Sequence, residues 1–260
     1  PEWQWPGVDD PKHGKAMRYS AQIQQLLKEP PEGLKVFSRD YHSQSMEPAA
    51  LEPENGLAWY EPAKGVMHMV GATQAPYATA SHMVGMVKAS SFALNEMDYL
   101  SAFTVGYGQK EHHSFPYYVA LAALYAEGRP VRLALDRWQH FQFALKRHPF
   151  DLKTTIAVDA EGQFQAFSVD MRGDGGGTMN FSPSVGTLGV ASSQSVYYFP
   201  KSDLSVAVFP SSEVTAGSVR GYGTLQSMAA TEMAVDEIAA RGEVSEDDVA
   251  RASVAVGEAK

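Results

Sequence analysis

The sequence predicts an α+β fold, with mixed sheets and helices packed against them. Three observations lead there. Lys153–Asp159 and Gln163–Met171 alternate apolar and polar residues across Asp159-Ala160-Glu161-Gly162, the pattern of an antiparallel hairpin with a glycine free to take positive φ. Elsewhere, strand-like and helix-like stretches alternate irregularly rather than in a regular βαβ series. No internal repeat is present, so no repeat architecture is implied.

In chain order, Gln22–Lys28 is expected as a short helix, stopped by Glu29-Pro30-Pro31-Glu32-Gly33, which has the composition of a linker. Leu57–Tyr60 and Val66–Val70, parted by Pro62 and Gly65, form a second expected hairpin. Ala78–Ala89 carries Ala, Met and Val at helical spacing, and Tyr99–Val105 reads as a strand running into a glycine turn. Pro116–Ala126 is apolar on nearly every side, with Ser114 as N-cap and Gly128 as the terminating glycine, so a buried helix is expected. Val131–Leu135 and Leu204–Phe209 read as strands. Leu225, Met228, Ala229, Val235, Ile238 and Ala239 make a helical stripe that ends at Arg241-Gly242. The chain is expected to divide into an N-terminal segment or linker (1–40), a main domain of one or two subdomains (41–242) and a C-terminal tail (243–260).

Composition narrows the function. The 260 residues carry 21 Lys+Arg against 30 Asp+Glu, a net charge of −9, which argues against a nucleic-acid binder because counterion release needs a basic footprint. With 44% hydrophobic and 11% aromatic residues the chain can bury a core. No uninterrupted apolar run reaches the roughly 18 residues of a membrane span. There is no cysteine, which excludes disulfides, thiolate metal sites, iron–sulfur ligation and cysteine nucleophiles within this chain. Both ends read as the interior of a longer protein, and the compartment stays open between the cytoplasm and periplasm of a bacterial-type host.

Three short loops place small or polar residues between a strand and a helix, where backbone N–H groups can meet an anion: Gly71–Gln74, Val105–Glu111 and Arg220–Gln226. Tight turns that need glycine explain the same pattern. Neither Gly-x-Gly has the third glycine of a dinucleotide fingerprint. His112-His113 cannot converge on one metal from a regular element, because successive side chains diverge. His140 and His148, in a polar stretch, are expected as surface or capping residues, and Gly173–Gly177 as a flexible loop.

Taken in order, six segments resemble the first molybdopterin-binding domain of the large subunit of the xanthine oxidase family of molybdenum hydroxylases. Tyr41–Pro48 resembles the family's Met-Glu-Pro strand start, with Trp59 in the apolar strand that follows. Ala72-Thr73-Gln74 resembles its Ser-Thr-Gln, and Val105–Glu111 its Gly-Gly-Phe-Gly-Gly-Lys-Glu. Gly128–Arg137 is similar to Gly-Arg-Pro-Val-Arg-x-x-x-x-Arg, Lys146–Pro149 to Lys-Arg-His-Pro, and Arg220–Gln226 to Arg-Gly-Phe-Gly-x-x-Gln, continuing into a helix with Glu232.

The resemblance implies a molybdenum–molybdopterin cofactor, in its simple or cytosine dinucleotide form, whose own dithiolene holds the metal. It implies that Gln74 bonds the apical oxo ligand and that Gly106, Tyr107, Gly108, Arg220, Gly221, Tyr222 and Gly223 lie along the cofactor. Arg220 either supports its turn or pairs with an anionic group, and each tyrosine either faces the substrate or belongs to the core. Glu111 matches the position of the substrate-orienting carboxylate of purine oxidisers, or is a surface carboxylate after the glycine turn. No arginine stands near Leu188, where those enzymes have one, so the resemblance implies an aldehyde or another N-heterocycle rather than xanthine. Val105 and Gln109 replace family glycines. The family's catalytic glutamate belongs to a second half of the large subunit, downstream of Lys260, and its iron–sulfur clusters, FAD or cytochrome belong to partner domains or subunits. The chain is therefore expected to be inactive alone; the alternative is a non-catalytic cofactor-binding or assembly module.

Overall fold

The computed structural model describes residues 14–73, 75–101 and 115–241. Its elements are α1 (Gly14–Lys28), β1 (Lys35–Ser43), β2 (Asn55–Glu61), β3 (Val66–Gly71), α2 (Pro76–Val87), β4 (Glu96–Ser101), α3 (Phe115–Leu124), β5 (Val131–Ala134), α4 (Arg137–Phe143), β6 (Phe150–Val158), β7 (Phe164–Gly176), α5 (Ser182–Ala191), β8 (Ser202–Pro210) and α6 (Thr224–Ala240). The strands form two four-stranded sheets, ordered β1-β6-β7-β8 and β4-β3-β2-β5. Each sheet mixes orientations: β7–β8 and β3–β4 are parallel and the other pairs antiparallel. The fold is α+β, as expected. Among the described residues no helix is long and apolar enough to cross a membrane.

Sheet β4-β3-β2-β5 carries α2 and α3 and has its own core, in which Ala58, Met67, Met69, Met83, Val119 and Ala120 are buried. Sheet β1-β6-β7-β8 carries α5 and α6. Phe150, Leu152, Ile156, Phe167, Val169 and Met171 alternate inward from β6 and β7 and meet Val185, Val235 and Ile238 of the helices. On the opposite face α1 seats Ile23 and Leu27 on Ala157 and Ala166. Gln24 of α1 also donates to Ser168 Oγ at 2.8 Å and to Asp203 Oδ2 at 2.6 Å. The segment before Tyr41 thus contributes a packed helix and the start of an edge strand.

Both expected hairpins form, as β2–β3 and β6–β7. The stretch 102–105, expected to continue β4, lies outside the described residues, as do Ser114 and His112-His113. Gly173–Gly177 is corrected: Gly173–Gly176 close β7, and the glycines answer to close packing rather than mobility. A Cβ on Gly173 would fall 2.3 Å from the Phe150 ring. His140 and His148 are corrected as well, being 0% and 1% exposed. His140 is buried beside Glu47 and Glu54, and His148 against Ser182 and the Phe150 ring.

Candidate cofactor site

Strands β3 and β4 run parallel with Gly71 opposite Ser101, so the segments that follow them leave from one edge of their sheet. Ser101 Oγ donates to Thr73 O at 3.0 Å and ties these two exits together. Thr73 is buried, and its hydroxyl accepts from Ala75 N at 3.2 Å, bracketing position 74. Gly71 leaves room for Tyr99, whose hydroxyl a Cβ there would meet at 2.9 Å. Burial, with Glu54 nearby, holds that phenol above its ordinary pKa and therefore protonated. Gln74, Gly106, Tyr107, Gly108 and Glu111 lie outside the described residues, as do Val105 and Gln109.

The Arg220–Gly223 loop lies on the other body, at the N-terminus of α6. Gly221, Tyr222 and Gly223 have φ of +93°, +50° and +91°, a left-handed run that favours glycine at both ends. Tyr222 N donates to Val219 O at 2.8 Å and Thr224 N to Gly221 O at 2.9 Å, so the loop is a fixed turn. Gly223 has a packing reason too, since a Cβ would fall 2.5 Å from Val185 O on α5. Tyr222 packs partly buried against the core beneath the loop. The Arg220 side chain is exposed. The Gly221 N–H finds no acceptor among the described residues. It stands, with the α6 N-terminus, where positive backbone charge concentrates.

Lys146–His148 binds distant motifs to this loop. Lys146 N donates to Thr215 O at 3.1 Å, Gly217 N to Lys146 O at 2.9 Å, and Arg147 N to Met46 O at 2.9 Å. Arg147 Nη2 reaches Arg220 O at 2.9 Å, and Gln226 Nε2 donates to His148 O at 3.2 Å. Lys146 Nζ meets Glu47 Oε2 at 2.5 Å and donates to Phe141 O and Ala144 O at 2.7 and 3.0 Å. Beside this pair, His140 Nδ1 lies 3.4 Å from Glu47 Oε1 and Nε2 4.0 Å from Glu54 Oε1. The Met-Glu-Pro, Lys-Arg-His-Pro and Arg-Gly-Tyr-Gly segments, apart in sequence, thus form one bonded network. Arg147 was not among the residues singled out from sequence, although its motif was.

Glu232 is held structurally: Ser195 Oγ and Tyr197 Oη donate to its carboxylate at 2.5 and 2.6 Å. Leu188, where purine oxidisers carry an arginine, sits half exposed on α5. No three His, Asp or Glu among the described residues are placed to hold a metal ion.

His148 Nε2 lies 2.8 Å from Ser182 Oγ, and its ring stacks on Phe150. Burial pushes its pKa down from 6.5 to about 4, with Asp174 opposing the shift and Arg147 adding to it. Below pH 6.5 the unfolded chain takes up a proton that the folded chain refuses, so stability falls between pH 6.5 and about 4. The expected loss is ~3 kcal/mol across that window. Urea unfolding of wild type and His148→Gln at a series of pH values checks it; an unchanged slope in the variant rules His148 out as the cause.

The family model for the molybdopterin cofactor-binding domain matches residues 22–254. The chain is 29% identical over 209 residues to xanthine dehydrogenase 1 of Arabidopsis thaliana, covering 76% of this chain and 14% of that protein. It is 24% identical over 192 residues to the nicotinate dehydrogenase large molybdopterin subunit of Eubacterium barkeri, covering 74% of this chain and 44% of that one. In fold it is similar to quinoline 2-oxidoreductase from Pseudomonas putida 86, with a TM-score of 0.72, 24% identity, and 86% of this chain and 28% of that chain covered. Aldehyde oxidoreductase from Desulfovibrio gigas gives a TM-score of 0.68 at 22% identity, over 81% of this chain and 23% of that chain. The chain thus spans less than half the length of each of these proteins. With three of the family's segments bonded into one network and the match running across both sheets, the chain belongs to the molybdopterin cofactor-binding domain family.

Proposed function

We propose that this chain is the cofactor-binding part of the catalytic large subunit of a molybdenum hydroxylase, which oxidises an aldehyde or N-heterocycle with oxygen derived from water. The observation that carries the reading is the fixed Arg220–Gly223 loop, with its unengaged Gly221 amide and the cation of Arg147 behind it. Such donors fit the anionic part of a pterin cofactor. When bound, the molybdenum group supplies Lewis acidity and a two-electron acceptor. The chain's own contribution is to bind and orient. The Gly221 amide and Arg220 would hold the cofactor's anionic side, and the family resemblance assigns Gln74 to the metal centre and Glu111 to orienting the substrate. By resemblance to the family's motif, Gly106, Tyr107 and Gly108 are assigned to binding the same cofactor. The second half of the large subunit supplies the catalytic base, and iron–sulfur clusters with FAD or another acceptor on partner domains remove the electrons. Without them the chain is inactive.

The complete gene product, purified from a host that makes the cofactor, is expected to carry close to stoichiometric molybdenum and pterin and to oxidise members of an aldehyde and N-heterocycle panel. A folded product without either sinks the proposal. Pterin without turnover on any substrate assigns the chain to a non-catalytic binding module instead.

A further inference from the structure

Arg147 is a cation in an unusual place. Its guanidinium is half-buried, Nε and Nη1 are shielded and have no acceptor among the described residues, and no carboxylate there pairs with it. Burial accordingly pulls its pKa below that of an ordinary arginine. Burying a charge without a counterion is costly, and folds retain such groups where something else gains from the charge. The hydrogen bond it makes is Nη2 to Arg220 O, a carbonyl 73 positions away at the start of the left-handed loop. The Arg220–Gly221 peptide is trans, so fixing its carbonyl toward Arg147 turns the Gly221 N–H the opposite way.

We propose that Arg147 is a positioning residue of the cofactor site: it locks the Arg220–Gly221 peptide so that the Gly221 amide faces the ligand, and its uncompensated charge favours an oxyanion at that loop. The inference rests on the molybdopterin reading for the identity of the anion, and on this chain's hydrogen bonding alone for the locked peptide. Nε and Nη1 are cut off from solvent, so the charge is screened less than that of a fully exposed arginine. Lysine at 147 keeps a charge but not the planar guanidinium, so the two functions separate on substitution.

The test uses the complete gene product in wild-type, Arg147→Met and Arg147→Lys forms, with Arg172→Met as a control that removes an exposed, Asp170-paired arginine from the neighbouring strand. Two readouts are taken. The first is exchange of the hydrogen-bonded Tyr222 and Thr224 amides of the loop in cofactor-free protein; the second is the rate at which loaded protein releases pterin. Arg147→Met is expected to raise both about tenfold, the loss of one charge-assisted hydrogen bond. Arg147→Lys is expected to lie between it and wild type, and Arg172→Met to match wild type. Equal exchange and release in Arg147→Met and Arg172→Met overturn the proposal. If Arg147→Met fails to fold, Arg147→Lys decides: raised exchange supports the lock and wild-type exchange overturns it. If wild type carries no pterin, the molybdopterin reading falls, while exchange at Tyr222 and Thr224 still decides the positioning role.

Discussion

Replacing Lys146 by methionine is expected to destabilise the chain by about 3–5 kcal/mol, the cost of breaking an ion pair held out of water. Its side chain is 12% exposed and that of Glu47 16%, and the ammonium meets one carboxylate and two carbonyls. Methionine fills the aliphatic path but leaves the Glu47 carboxylate next to the buried His140 ring without its cation. The two carbonyls lose their donor as well. Glu47→Gln in the Lys146→Met background is expected to recover part of the loss, because it removes the charge left behind. The pair should show a coupling energy of about 1–3 kcal/mol in a double-mutant cycle. Urea unfolding with an unchanged denaturant slope measures it. A single-variant cost under about 1 kcal/mol, or strict additivity, would show that the pair behaves as a solvated surface bridge.

Gly223→Ala carries the second large effect. Position 223 has φ +91°, and an added Cβ would stand 2.5 Å from Val185 O and 3.1 Å from Gly189 Cα, both backbone atoms that cannot rotate away. Backbone strain of roughly 1–2 kcal/mol and overpacking of roughly 1–3 kcal/mol add to about 3 kcal/mol. For a chain of this size that lowers the thermal midpoint by roughly 6–12 °C. Gly33→Ala separates the two contributions, since Gly33 has φ +85° and nothing within 4 Å of its missing Cβ. It should show the strain alone. Equal midpoints for the two variants would refute the close approach of α5 to the loop.

What the sequence revealed depended on where each element's stabilising contacts lie. The hairpins β2–β3 and β6–β7 and the helices α2, α3 and α6 bury residues at their own periodicity, and they were legible. β1 buries no residue fully, because it is an edge strand, so its alternation is faint. α4 has seven residues and is fixed by an Asp136–Gln139 capping box and by Phe143 against Phe115 and Tyr118, contacts that no local pattern displays. α5 looks like a poor helix because Gly186 and Gly189 face Val208, Met171 and Gly223 at distances no side chain would fit. The first turns of α1 are exposed, and only its Ile23–Leu27 end showed. The Arg220–Gly223 loop was legible as a motif. Its support was not, because Glu47 and Lys146 stand 99 positions apart and Arg147 acts through a backbone carbonyl.

The order of strands also bears on how the chain closes. β2 to β5, with α2 and α3, all fall between β1 and β6, which pair in one ladder; Ser38 and Thr155 touch across a separation of 117 residues. The entropy of closing a loop rises by only about 0.6 kcal/mol for each doubling of its length, so so long an excursion weighs little at equilibrium. Its weight falls on rate, since distant pairing waits for the whole excursion to be collected. The inner body has its own sheet and core, and the chain leaves and re-enters the outer sheet side by side at the Met46–Arg147 bridge. The bridge thus leaves the two ends of the long excursion side by side, where β6 meets β1.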